Sequence, residues 1–174
     1  MTNTVPRDGA APQRPDLAAE LLRRKDLDQH ARGVRPDGTR ADPDWKAMTA
    51  VDADNVAWLK KAVDEVGWPG LTLVGEDACD SAWLFAQHAD EHRDFQEQAL
   101  VLLREAVEAG EAPPWQLAYL TDRCLVGRKE PQLYGTQYRN GAPLPIADAE
   151  RLDERRASAG MEPHAEYDAR MRHL

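Results

Sequence analysis

The segment that most constrains the fold is residues 75–86. It begins with two acidic residues, and its later positions are apolar on nearly every side of a helix (Ala78, Ala82, Trp83, Leu84, Phe85 and Ala86). Acidic side chains in a first turn interact favourably with the helix dipole. A helix that is apolar all round has to be covered by other elements, so this segment is predicted to be a central, buried helix.

Other segments of the chain also carry apolar residues at helical spacing. They predict helices that begin at Asp16, near Asp52, near Asp94, at Pro114 and at Asp148. The expected fold is therefore all-α: a single-domain antiparallel helical bundle of five to six helices with one long polar loop. Residues 1–15 are predicted to be a disordered tail, residues 16–168 the domain, and residues 169–174 a C-terminal tail.

Charge and composition narrow the possible functions. The formal net charge is −9, and an acidic surface repels phosphate backbones, so we expect neither nucleic-acid nor membrane binding. No apolar run approaches the roughly 18 residues of a membrane span, and no signal-peptide pattern is present. Cys79 and Cys124 are isolated in sequence, which favours inert core thiols and a cytoplasmic location.

Polar residues concentrate in the long loop and in the helix before it. Asp122 and Arg123 lie in the last part of that helix, which is predicted to end at Gly127. The loop then carries Gln132, Tyr134 and Gln137, with Gly135 and Thr136 between them. Such groups are costly to bury unless they satisfy one another. The cluster is therefore predicted to be either a structural latch or the wall of a site, packed on the ends of the central helix and of the helix that begins at Pro114.

His88 follows the central apolar helix and is expected to be partly buried. A buried histidine needs a partner for a ring nitrogen, and Asp122 is the predicted one. Such a pair serves general base catalysis, and it is also an ordinary way to satisfy a core histidine. Residues 88–92 also match H-x-x-E-H, which would place His88 and His92 on one helix face to bind zinc, with Asp122 as a third ligand.

Several short motifs together resemble an uncharacterised bacterial family. They are "GWP" at residues 67–69, "QHAD" at 87–90, "DR" at 122–123 and "Q-x-YGTQ" at 132–137, with Asp28-Gln29-x-x-Arg32 similar to that family's opening. Further marks are Asp54-Asn55, Val74-Gly75, Ala82-Trp83 and Gln96. The resemblance spans residues 17–167 and implies no activity. It implies that His88, Asp122, Arg123, Gln132, Tyr134, Thr136 and Gln137 belong to the family pattern, whereas His92 does not.

The sequence leads to one main functional hypothesis. We expect a small enzyme without organic cofactor or metal that acts on a polar small molecule or peptide side chain by hydrolysis, elimination or cyclisation. His88 and Asp122 would be the base and its partner and Tyr134 an acid, while Arg123, Gln132, Thr136 and Gln137 would bind the substrate. The alternatives are a non-enzymatic binding module whose acidic surface meets a partner protein, and a zinc-dependent hydrolase.

Overall fold

A computed structural model describes residues 11–172, and this part of the chain is mostly helical. Eight α-helices lie within these residues: α1 (Pro15–Ala31), α2 (Trp45–Val66), α3 (Leu71–Val74), α4 (Glu76–Gln87), α5 (Arg93–Glu108), α6 (Pro114–Gly127), α7 (Leu152–Ser158) and α8 (His164–Met171). Two short antiparallel strands, β1 (Tyr138–Arg139) and β2 (Ala142–Pro143), form a hairpin after α6. None of the described helices is long and apolar enough to cross a membrane.

Helix α4 lies at the centre of the hydrophobic core. It packs against α1, α2 and α6, and α5 packs along α6. Its buried side chains include Ala78, Cys79, Ala82, Phe85 and Ala86. The apolar character of this segment predicted such a position, because a helix with no polar side is stable only when it is covered.

Helix α2 begins earlier than the apolar spacing near Asp52 predicted. Its N-terminal residue is Trp45, and the side chain of Asp44 accepts a hydrogen bond from the amide of Ala47. An aspartate N-cap satisfies one of the free amides of the first turn, so the helix extends into a segment without strong apolar periodicity.

Two segments near the ends of the described residues are bonded to the domain or helical. The amides of Gln13 and Arg14 donate to the carbonyl oxygens of Thr72 and Leu73, so this part of the predicted tail is bonded to α3. Residues 1–10 lie outside the described part of the chain. Near the other end, α8 continues into the predicted C-terminal tail as far as Met171.

The polar loop forms a turn that is closed by backbone hydrogen bonds. The amide of Gln132 donates to Pro145, and the amide of Ala147 donates back to Gln132. Gly135, in the middle of the loop, has a φ of +69°. A Cβ at this position would lie 2.6 Å from the ring of His164 in α8, so the turn requires glycine both for its backbone angle and for space.

Candidate functional site

Asp122 holds the 132–137 loop against α6. Its Oδ1 accepts from the amides of Leu133 and Tyr134 at 2.7 and 3.0 Å, and its Oδ2 accepts from the amide and the hydroxyl of Thr136 at 3.0 and 2.9 Å. The side chain is fully buried. Burial raises the pKa of Asp122, and the hydrogen bonds from the loop oppose the rise. Asp122 is therefore an anchor for loop backbone, a role for which its carboxylate is well suited as a double acceptor.

Two glutamines complete the closure of this loop. Gln132 is fully buried; its Oε1 accepts from the amide of Gln137, and its Nε2 donates to the carbonyl oxygens of Gln137 and Leu144. The side chain of Gln137 donates to the hydroxyl of Thr136 at 3.0 Å. These polar groups are satisfied by one another, which matches the latch alternative for this part of the cluster.

Arg123 connects the loop to the segment that follows α4. Its Nε and Nη2 donate to both carboxylate oxygens of Asp90 at 3.0 and 2.7 Å, and its Nη1 donates to the Oε1 of Gln137 at 2.9 Å. The loop is thus tied to α6 and to the end of α4, as predicted. These two partners engage three of the five N–H groups of the guanidinium, and the side chain is 33% exposed, so binding of a substrate carboxylate by Arg123 stays a prediction.

His88 has a different partner from the predicted one. Its Nδ1 lies 2.8 Å from the Oδ1 of Asp28 in α1, and Asp28 is fully buried. The predicted pairing with Asp122 is wrong, because the hydrogen bonds that Asp122 accepts within residues 11–172 all come from the 132–137 loop. The side chain of His88 is 18% exposed, so part of it is accessible at the surface.

Asp28 belongs to a chain of charged groups between α1 and α2. Arg32 donates from Nη1 to Asp28 at 2.7 Å and from Nη2 to both carboxylate oxygens of Asp52 at 2.9 and 3.0 Å. Gln29 donates to the other oxygen of Asp28 at 2.8 Å. Asp28 is fully buried where α1 packs against α4, and a carboxylate in such a position needs all of these donors. We call Asp28, Arg32, Asp52 and His88 the His88 cluster.

The H-x-x-E-H motif does not form a zinc site. Helix α4 ends at Gln87, His88 is its C-cap, and His92 is the N-cap of α5. Two histidines four residues apart share a metal ion when both lie on one helix face. Because His88 and His92 are separated by a turn between two helices, the premise of the predicted motif is wrong.

The loop has a second set of supports that the sequence did not suggest. Arg156 in α7 is 1% exposed and donates to the carbonyl oxygens of Tyr134 and Glu162. Its neighbour Arg155 donates to the carbonyl oxygen of Leu133. The backbone of Tyr134 is therefore held from both sides, by Asp122 and by Arg156. No signal in the sequence separates such buried arginines from exposed ones of the same helix.

One protein-family model matches most of the chain. Residues 15–173 match the model of a family of unknown function, DUF6624. The chain belongs to DUF6624. The range covers the His88 cluster and the 132–137 loop, so both lie within the DUF6624 domain. No curated protein and no solved structure matches the chain.

Proposed function

We propose that this DUF6624 chain is a small enzyme that uses His88 as a general base, without an organic cofactor. The observation that supports the proposal is the 2.8 Å contact between His88 Nδ1 and the buried carboxylate of Asp28. A carboxylate only accepts hydrogen bonds, so Nδ1 carries the proton and Nε2 keeps its lone pair. Within residues 11–172, Nε2 has no hydrogen-bond partner of its own.

The Asp28 carboxylate would do two things for this base. It keeps the imidazole in one tautomer, and it stabilises the positive charge that appears when Nε2 takes a proton. Asp28 is itself oriented by Arg32 and Gln29. A base arranged in this way serves hydrolysis, elimination or cyclisation of a polar small molecule or peptide side chain, since each can begin with removal of a proton from water or from the substrate.

The role of the 132–137 loop in this proposal is mainly positional. Asp122, Gln132 and Thr136 hold the loop, and Arg123 joins Gln137 to Asp90, two residues after His88. A part of Tyr134 and of Gln137 in substrate binding or acid catalysis stays a prediction. We also propose that the helices form the antiparallel bundle expected from the sequence, which the packing of α4 among α1, α2 and α6 favours.

The proposal is tested by an untargeted search for turnover. Purified protein is incubated with a small-molecule cell extract, and mass spectrometry records which metabolites are depleted. We expect depletion by wild type and by the His92→Gln variant, and none by His88→Gln. His92 is a matched control, because it is a nearby, exposed histidine outside the cluster. Equal depletion by wild type and by the His88 variant would refute the base assignment.

A second measurement addresses the tautomer directly. Nitrogen-15 NMR of the imidazole distinguishes a protonated Nδ1 from a protonated Nε2. We expect His88 to be protonated at Nδ1 in the wild type and to lose this preference in Asp28→Asn, whose amide also offers a donor. A wild-type His88 protonated at Nε2 alone would contradict the arrangement on which the proposal depends.

The second candidate is a non-enzymatic binding module. The hydrogen bonds of the loop favour this candidate, because the side chains of Asp122 and Gln132 bond to loop backbone and not to a ligand. In this case no metabolite is depleted, and a ligand or partner protein is instead retained by wild type. Retention by both His88→Gln and His92→Gln, without turnover, would decide in its favour.

A further inference from the structure

Three side chains of the His88 cluster present metal-ligand atoms to one another. One oxygen of Asp28, one oxygen of Asp52 and a ring nitrogen of His88 all lie within 4.8 Å of each other. They come from α1, α2 and the residue after α4, so three packed elements set their spacing. Two carboxylate oxygens and one imidazole nitrogen form a mixed donor set that suits divalent transition metals better than Mg²⁺ or Ca²⁺.

Arg32 already supplies a positive charge between the two carboxylates. Its Nη1 lies 2.7 Å from Asp28 and its Nη2 2.9 Å from Asp52. With His88 neutral, these two carboxylates and one guanidinium leave a net charge of −1. Arg32 is the residue that follows the last turn of α1, and its side chain is 17% exposed, so it has a route to solvent. The two carboxylates thus already share one cationic group, and that group is partly exposed to solvent.

The wall of α2 beside Asp52 has an unsatisfied buried donor. Asn55, one turn along from Asp52, is 3% exposed, and its Nδ2 has no partner in the described part of the chain. It faces α1, because its Oδ1 accepts from Arg24. Buried amides of this kind are normally paired with a protein group or with an ordered water.

We propose that Asp28, Asp52 and His88 bind a divalent transition-metal ion, such as Zn²⁺, and that the metal displaces Arg32. Three protein ligands leave a fourth position for water, as in open zinc sites. The bound ion holds the ring of His88, so metal binding and the use of His88 as a free base exclude each other. The inference does not rest on the proposed enzymatic function, because the binding is measured without any reaction.

The test is titration calorimetry of Zn²⁺ into the metal-free full chain. We expect one ion per chain in Arg32→Met, bound about tenfold more tightly or better than in wild type, because no guanidinium has to leave the two carboxylates. Arg35→Met is the matched control, since Arg35 is exposed and lies three residues further on. Mg²⁺ in place of Zn²⁺ should give much weaker binding to Arg32→Met.

The ligand set is tested in the same background. The tight site should disappear in Arg32→Met/His88→Gln and persist in Arg32→Met/His92→Gln. The proposal is overturned if Arg32→Met binds Zn²⁺ no more tightly than Arg35→Met, or if binding survives removal of His88. Should Arg32→Met fail to fold, the wild-type background decides: binding must be lost in His88→Gln and retained in His92→Gln, and equal binding by these two variants refutes the site.

Discussion

The substitution Asp122→Asn tests whether the carboxylate of Asp122 is the anchor of the 132–137 loop. Four donors converge on its two oxygens at 2.7 to 3.0 Å. Asparagine has the same shape, but only its Oδ1 accepts and its Nδ2 is a donor. At least two of the four loop donors therefore lose their acceptor and face another donor instead.

The magnitude follows from these lost hydrogen bonds. Each hydrogen bond to a charged group contributes about 1.5 kcal/mol or more to stability, so two of them amount to about 3 kcal/mol. Part of this loss is offset, because burial raises the pKa of Asp122 and a neutral amide avoids the cost of burying a charge. We expect Asp122→Asn to lower the free energy of unfolding by about 2 kcal/mol.

The measurement is urea unfolding at neutral pH, followed by the fluorescence of the five tryptophans. A loss of about 2 kcal/mol shifts the midpoint by roughly 1 M urea for a domain of this size. Asp26→Asn is the control, since Asp26 is exposed on α1 and is expected to change stability by less than about 0.5 kcal/mol. Hydrogen exchange should accelerate at the loop amides that face the new Nδ2, which are either those of Leu133 and Tyr134 or that of Thr136.

The anchor interpretation fails if Asp122→Asn unfolds with the same midpoint as Asp26→Asn. It also fails if stability falls while the amides of Leu133, Tyr134 and Thr136 all keep their protection. In the second case the carboxylate would stabilise α6 itself and not the loop. A stable Asp122 variant that loses a measurable turnover would instead support the catalytic role that the sequence suggested for this residue.

Three further predictions concern the surroundings of the loop and the core. Gly135→Ala should lower the free energy of unfolding, measured in urea, by about 3 kcal/mol, and Gly141→Ala by only about 1 kcal/mol. Both glycines have positive φ, but only at Gly135 would a Cβ collide with a histidine ring. Equal losses would mean that the ring moves away freely. Burial raises the pKa of Cys79 and of Cys124 to about 12, so a thiol reagent at pH 8 should modify both only in denaturant, and rapid native modification would contradict this. Arg156→Lys should lower the melting temperature by several degrees, because a buried fork that binds two carbonyl oxygens is replaced by a single ammonium group; an unchanged melting temperature would show that one of these bonds is dispensable.

The apolar periodicity identified most of the helices, because that signal is local. Helices α4, α5 and α6 begin within about one residue of the predicted positions. The single-turn helix α3 and helix α8 were missed, since one is four residues long and the other has few apolar side chains. A short or polar helix is stabilised by the elements that it packs against, and the residues of the helix itself do not show which elements those are.

The sequence also identified which polar residues matter for the loop. A cluster of amides, an acid and an arginine in one segment has to be satisfied somewhere, and Asp122, Arg123, Gln132, Thr136 and Gln137 do satisfy one another. The sequence did not indicate whether these hydrogen bonds within the protein leave any donor or acceptor available to a substrate. Arg123 keeps N–H groups beyond those bound to Asp90 and Gln137, and whether a substrate uses them stays a prediction.

The partner of His88 was decided by tertiary structure alone. Asp28 lies sixty residues earlier in the chain, and its spacing to Arg32 is the same in a solvent-exposed ion pair as in a buried one. Local spacing determines which residues share a helix face, and this chain's sequence determined its helices and its polar loop on that basis. Which face of α1 is covered by α4, and therefore whether His88 meets Asp28 or Asp122, depends on how the helices pack together, which is a property of the whole fold.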